Sequence, residues 1–195
     1  MGDLREQLAR DYPQVEHQLA FYAQGSRHPP YNNKPVADTL SQFCAEFLPR
    51  CPLTDPRRKQ ISVIKTNFVK LIGLKHKSLN KDDFPASEII KCIEEGTFEL
   101  TEYTIEDCSR MNTLFWLPEL VSDPDAIYRN GHKLIAGDEV YMRVYDKMGS
   151  RVKLLFTKDI KKGGAILKTV PITSFLTSSE EVINFVTGQP LYRRT

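Results

Sequence analysis

The stretch "EVYMRVYDKMGSRVKLLFTK", residues 139–158, decides the fold. In it Val140, Met142 and Val144 alternate with Tyr141, Arg143 and Tyr145, and beyond the turn "DKMGS" Val152, Leu154 and Phe156 alternate with Lys153 and Thr157. A period of two on both sides of a turn predicts a β-hairpin with an apolar face against a core. The opposite face, which carries the tyrosines, Arg143 and Lys153, is then expected to meet solvent.

The neighbouring segments extend this pattern. "IKKGG" predicts a second turn and "AILKTVPIT" a third strand, with Pro171 limiting how far it can pair centrally. "SSEEVINFVTG" predicts a short helix capped by Ser178 or Ser179. Upstream the texture is helical. Phe68, Leu71 and Ile72 have core spacing, as do Ile89, Ile90 and Ile93 between Pro85 and Gly96. A longer helical segment is expected in "TIEDCSRMNTLFWLPELVSDPD", with Thr104 and Asp107 as a capping-box variant and Pro118 ending or kinking it.

Before these lie two further helical stretches, "LREQLARDYPQVEHQLAFYAQG" and "VADTLSQFCAEFL", followed by the breaker-rich "PRCPLTDPRRK". The expected organisation is a helical accessory lobe over residues 1–55 and an α+β domain over 56–195, in which helices pack on a small antiparallel β-sheet.

Composition excludes several classes. With 41% hydrophobic and 27% charged residues in 195, the chain can bury a core and does not read as disordered. No run approaches a membrane-spanning length, and the polar start "MGDLREQLARDYPQ" is not a signal peptide, so a cytoplasmic setting is expected. Cys44, Cys51, Cys92 and Cys108 form no CxxC pair, so reduced thiols rather than a metal site are expected. Nucleotide loops, the serine-hydrolase elbow and the metalloprotease motif are all missing, and no cofactor is expected.

A net charge of +2 conceals a gradient. Residues 127–195 hold 12 basic and 6 acidic side chains, whereas residues 61–126 hold 7 and 12. "KTNFVKLIGLKHKSLNK", 65–81, adds five lysines without an acid. Such segments suit a polyanion, because phosphate contacts dominate nucleic-acid affinity; solvated surface is the plainer account.

The run "ISVIKTNFVKLIGL", the helix around "RMNTLFWLPELVSDPDAIY", then "GDEVYMRVYD" and "LKTVPITSF" together resemble the phage-associated members of the barnase, EndoU, colicin and RelE-like (BECR) superfamily of nuclease domains, over roughly residues 61–195. The resemblance implies helices ahead of a four-stranded antiparallel sheet, with RNA-cleaving residues on the sheet face and the preceding helix. It implies a site that includes Arg110, beside the sheet, and Thr169, the best match for a hydroxyl that is catalytic or orients phosphate.

Metal-independent RNA cleavage needs a base for the ribose 2′-hydroxyl, an acid for the leaving oxygen and cations around the phosphate. His132 is the one histidine in the C-terminal third, between Arg129 and Lys133, and is the candidate base. Arg143 and Lys153 are candidate phosphate holders, Tyr141 and Tyr145 candidate base-stacking rings, and Ser174 a further polar contact. Lys158, Lys161 and Lys162 crowd a turn and suit a general polyanion contact or plain surface. The expected function is an endoribonuclease acting on tRNA or another structured RNA as a toxin or phage-conflict effector, with the N-terminal lobe docking a neutralising or delivery protein. The alternative is a catalytically inactive module that binds protein or RNA.

Overall fold

The computed structural model describes residues 33–80, 85–105, 108–145 and 151–195. Helix α1 (Asn33–Gln42) runs through a π-helical turn (Phe43–Phe47) and a 3-10 turn (Leu48–Arg50) to strands β1 (Leu53–Thr54) and β2 (Gln60–Ile61). Helix α2 (Asn67–Leu71), β3 (Leu74–His76), α3 (Ala86–Glu95) and β4 (Tyr103–Ile105) follow. Then come α4 (Cys108–Asn112), a 3-10 turn (Leu114–Trp116), α5 (Leu117–Ser122), β5 (Ala126–Asn130), β6 (Glu139–Val144), β7 (Val152–Lys162), β8 (Ala165–Thr177), α6 (Ser179–Val182) and β9 (Val186–Arg193).

A seven-stranded sheet in the order β1-β2-β8-β7-β6-β5-β9 dominates, and it curls into a half-barrel. Its pairings are antiparallel except β2 with β8, which are parallel through Ile61 and Thr169. Strands β3 and β4 form a separate two-stranded sheet. The expected architecture, helices on a small antiparallel sheet, is therefore corrected: the sheet is large, mixed and curled, and the six α-helices among the described residues are short.

Two sequence features account for much of this difference. The longer helical segment expected within 104–125 is broken, because Thr104 pairs with Lys75 in β3, and Thr113 leaves helical geometry at φ −106° and ψ 11°. Pro118 then sits in the first turn of α5, where a missing N–H costs nothing. The expected C-terminal helix is only α6, and the chain then becomes strand β9 along β5. Its pairing jumps from Thr187 opposite Arg129 to Tyr192 opposite Ile127, so Gly188 (φ 72°), Gln189 and Pro190 bulge away from the ladder.

Other local signals behave as read. Gly96 at φ 72° ends α3 in the left-handed cap that favours glycine, with Ile89, Ile90 and Ile93 buried. Gly163 and Gly164, at φ 60° and 83°, turn β7 into β8 as a primed hairpin turn requires. Pro171 stands opposite Thr157 at a register shift, which lets the long β8 stay paired around a residue that cannot donate. Residues 1–32, which include the first expected helix and its break at Pro13, lie outside the described residues; Asp107 does as well.

Both faces of the sheet are buried. On one, Ile127, Tyr141 and Leu155 join a core with Phe43, Phe47, Phe68 and the α3 isoleucines, with α5 lying across β6 and β7. On the other, Val140, Met142, Val144, Val152, Leu154 and Phe156 pack beneath Val182, Phe175 and Phe185. Neighbouring residues Leu154 and Leu155 thus enter different cores, and replacing either by alanine is expected to cost about 2–5 kcal/mol. Urea unfolding of the two variants checks this; a cost within about 0.5 kcal/mol for one of them would mean that its face is solvated.

Candidate nucleic-acid interface

The two-sided burial changes the meaning of the alternating residues. Tyr141, Arg143, Tyr145 and Lys153 do share a face, with Arg143 directly opposite Lys153, but that face lies under the helices rather than in solvent. Arg143 is 4% exposed and Lys153 is 0% exposed. Arg143 Nη1 donates to Asp123 Oδ2 (2.7 Å) and to the Asp123 carbonyl, and Nη2 donates to Glu119 Oε1 (3.1 Å). Lys153 Nζ donates to Thr113 Oγ1 at 2.7 Å. A phosphate would have to displace two carboxylates to reach Arg143, so the expected bidentate grip is already taken by the protein itself.

The rings are occupied in the same way. Tyr145 lies against Trp116, with ring centroids 4.4 Å apart, and burial pushes its phenol pKa well up. Tyr141 is fully buried, and its hydroxyl donates to Asp55 Oδ2 at 2.8 Å. Ser174, also buried, donates to the Leu154 carbonyl (2.7 Å). Arg110 donates to Thr173 Oγ1 (3.1 Å) and lies over the Phe175 ring at 5.4 Å.

Nor do the four proposed catalytic residues share one cleft. His132 stacks on Phe185, whose neighbours are Phe156 and Phe175 on the curled face, whereas Arg143 lies on the helical face. The two also belong to opposite ends of β6, which spans about 14 Å from Glu139 to Arg143 at roughly 3.4 Å per residue. Thr169 is at the Glu139 end and hydrogen-bonds Asp159 Oδ1 (2.7 Å). The candidates therefore divide, with Arg129, His132, Lys133 and Thr169 toward the Glu139 end and Arg143, Tyr145 and Lys153 toward the other, while Arg110, on Thr173 opposite Phe156 and over Phe175, stands between them.

At the Glu139 end of β6 the structure assembles a charged network from the breaker-rich segment 49–59. The turn from β1 to β2 brings in Asp55, Arg57 and Lys59, helped by Arg58 at φ 70°. Asp55 Oδ1 accepts the backbone N–H groups of Arg57 and Lys59 (both 2.9 Å), and its Oδ2 accepts Arg57 Nη2 (2.7 Å) as well as the Tyr141 hydroxyl. Arg57 Nη2 reaches Glu139 Oε2 (2.8 Å), and Lys59 Nζ bridges that oxygen (3.1 Å) to Asp159 Oδ1 (2.8 Å). The signal available in advance was the i, i+2 spacing of Asp55, Arg57 and Lys59, which puts them on one side of an extended turn.

Above this network the β7–β8 hairpin leaves the sheet. Strand β6 stops pairing at Thr157 and β2 at Thr169, so beyond them the hairpin is a two-stranded ribbon. Residues 161–168 are exposed throughout. Lys158, Lys161, Lys162 and Lys168 line the arm against a single acid, Asp159, which is bound by Lys59 and Thr169. Ile166 and Leu167, 53% and 66% exposed, add apolar surface to it.

The adjoining loop is fixed rather than loose. Asn130 Nδ2 donates to the carbonyls of Ile135 (2.7 Å) and Gly137 (2.8 Å), and its Oδ1 accepts the His132 N–H (2.8 Å). A Cβ on Gly131 would stand 2.7 Å from the Val186 carbonyl oxygen, so only glycine allows the loop to dock on β9 there. His132 Nδ1 accepts the Leu134 N–H at 3.3 Å, which leaves Nε2 as the proton-bearing nitrogen of the neutral ring. That arrangement suits a donor or a stacked ring better than the expected base.

Comparison with protein-family models gives no match, and neither the curated proteins nor the solved structures give one. Among the described residues no histidine, cysteine and carboxylate group forms a metal-ligand cluster, and no helix is long and apolar enough to cross a membrane.

The network makes the acid limb of stability specific. Burial pushes the Asp159 carboxyl up, but hydrogen bonds from Lys59 and Thr169 and the charges of Lys59 and Lys161 outweigh it and hold the pKa below the ordinary value. A group lowered in the folded state stabilises fully above its unfolded pKa, about 3.9, and loses that contribution as pH falls through the folded value. Asp159→Asn should therefore flatten the loss of stability below about pH 4, read from urea midpoints across the acid range.

Proposed function

We propose that this chain binds RNA with the lysine-bearing arm and the adjoining loop, and that the buried network beneath them sets the arm's position. One observation carries the reading: a two-stranded ribbon extends past the sheet with Lys158, Lys161, Lys162 and Lys168, and its one acid is already neutralised. Cations on a narrow projecting ribbon can approach phosphates closely, because little neighbouring protein blocks their access. Arg129 and Lys133, both exposed, extend the positive surface from the next loop. Arg143 and Lys153 belong to the folding core in this reading and make no RNA contact.

Fluorescence anisotropy with a labelled RNA at low salt tests the proposal. Lys161→Ala/Lys162→Ala should weaken binding by about tenfold, whereas Lys91→Ala, on exposed α3 beside Glu95, should leave it unchanged. Equal affinity in the two variants would remove the arm from the interface.

Cleavage is the second reading, and one feature favours it. Glu139 lies between Arg57 and Lys59 at the base of the arm, a carboxylate flanked by two cations, and transesterification uses such residue types. Both of its oxygens are engaged by Arg57, so proton transfer would require that pair to open. RNA incubated in chelator should then give 2′,3′-cyclic phosphate ends that Glu139→Gln abolishes. Intact RNA under conditions where it binds would leave binding without cleavage.

A further inference from the structure

We infer that His132, held on Phe185, is a stacking platform for an unpaired nucleobase, so that the RNA taken by this chain is single-stranded where it crosses the mouth of the half-barrel. The inference rests on the RNA-binding reading and adds to it the form of the ligand.

The platform is built from both sides. The His132 and Phe185 rings are 5.2 Å apart and inclined by 28°, a stacked pair, and Phe185 is itself braced edge-on by Phe156 and Phe175. The Phe185 stack covers one side of the His132 ring, and the residue as a whole is half-buried and keeps contact with solvent. Three anchors hold the loop still: the Asn130 side chain, the Gly131 N–H on the Phe185 carbonyl (2.9 Å), and the Gly137 N–H on the Ile135 carbonyl (2.9 Å). A ring fixed before binding loses little conformational entropy when a base arrives.

What surrounds the ring selects the partner. Leu134, 82% exposed, and Ile183, 64% exposed, flank the stack in sequence, so apolar surface is offered beside it. Lys133 is exposed next to His132, whereas Arg129 shares the Ile127 and Tyr141 face of the sheet; of the nearby acids, Asp138 Oδ2 accepts the Asp159 N–H (2.7 Å) and Glu181 of α6 accepts the Thr177 hydroxyl (2.7 Å). An aromatic ring with apolar neighbours and one lysine beside it fits a flat base, with the phosphate backbone left to Lys133 and the arm. A base inside a duplex cannot present its face to such a ring, whereas an unpaired one can.

The test compares a labelled single-stranded oligouridine of roughly 12 nucleotides with a blunt RNA duplex of the same length, using the full chain. The single strand should bind more tightly. His132→Ala should weaken it by about tenfold while leaving the salt dependence unchanged, since the ring contributes stacking and no phosphate contact. His132→Phe should restore affinity and His132→Leu should not, a comparison that holds even if the alanine variant loses its loop. If all three variants bind like the parent while Lys161→Ala/Lys162→Ala does not, the platform is overturned and arm binding stands. Equal binding of duplex and single strand likewise overturns the platform. If the parent chain binds neither RNA, the RNA-binding reading fails and the platform with it.

Discussion

The pairing of β7 with β8 does two jobs along one ladder. In its first half, from Val152 to Phe156 against Thr177 to Thr173, it forms the middle of a sheet buried on both faces. In its second half, past Thr157 on β7 and Thr169 on β8, the same ladder has lost its neighbours and becomes an exposed basic arm. Because an antiparallel ladder fixes register residue by residue, the core half dictates where the arm's lysines stand. The register shifts between Phe156 and Thr157, and between Ile160 and Lys161, fall where the ribbon leaves the sheet and along the arm, as bulges do when a strand must bend.

Charge follows the same division. Inside the fold, cations are held by partners: Arg143 by Asp123 and Glu119, Arg194 by Asp123 and Asp125, and Arg57 and Lys59 by Asp55, Glu139 and Asp159. Asp55, Asp125 and Arg143 are the buried members, and removing one of them takes the compensation from its partners, whereas Asp123 and Glu119 are partly solvated and their loss costs less. These groups hold segments in place; Arg57 and Lys59 tie the β1–β2 turn to β6 and β7. On the arm, Lys161 and Lys162 stand in solvent, where a charge costs little to keep.

The sequence made the hairpin and its two alternating faces legible, and Val140, Met142 and Val144 do fall on one side with Leu154 and Phe156. It could not show that the other side was also covered. Tyr141, Arg143 and Lys153 look like a solvated face by polarity, yet each is itself buried and finds a partner contributed from elsewhere along the chain: Asp55, Asp123 and Thr113. Alternation reports which residues share a face, not what lies above it. Strand β9 was hidden by Gly188 and Pro190, which read as breakers and are in fact a bulge. The Asp55–Arg57–Lys59 turn was illegible for a related reason, since its partners Glu139 and Asp159 are separated from it by most of the fold. The sequence marks His132 as the one histidine of the C-terminal third and a candidate base; its stack on Phe185 and its bound Nδ1 change the chemistry it offers.

The most direct measurement is an NMR titration of the isotope-labelled full chain with single-stranded oligouridine, following backbone amides residue by residue. The account predicts that shifts concentrate on Lys158–Lys168 and on Arg129–Leu134, with the Arg143 and Lys153 amides unmoved. Shifts confined to the other lysine-rich segment, Lys70–Lys77, or no shifts at saturating RNA, would contradict it.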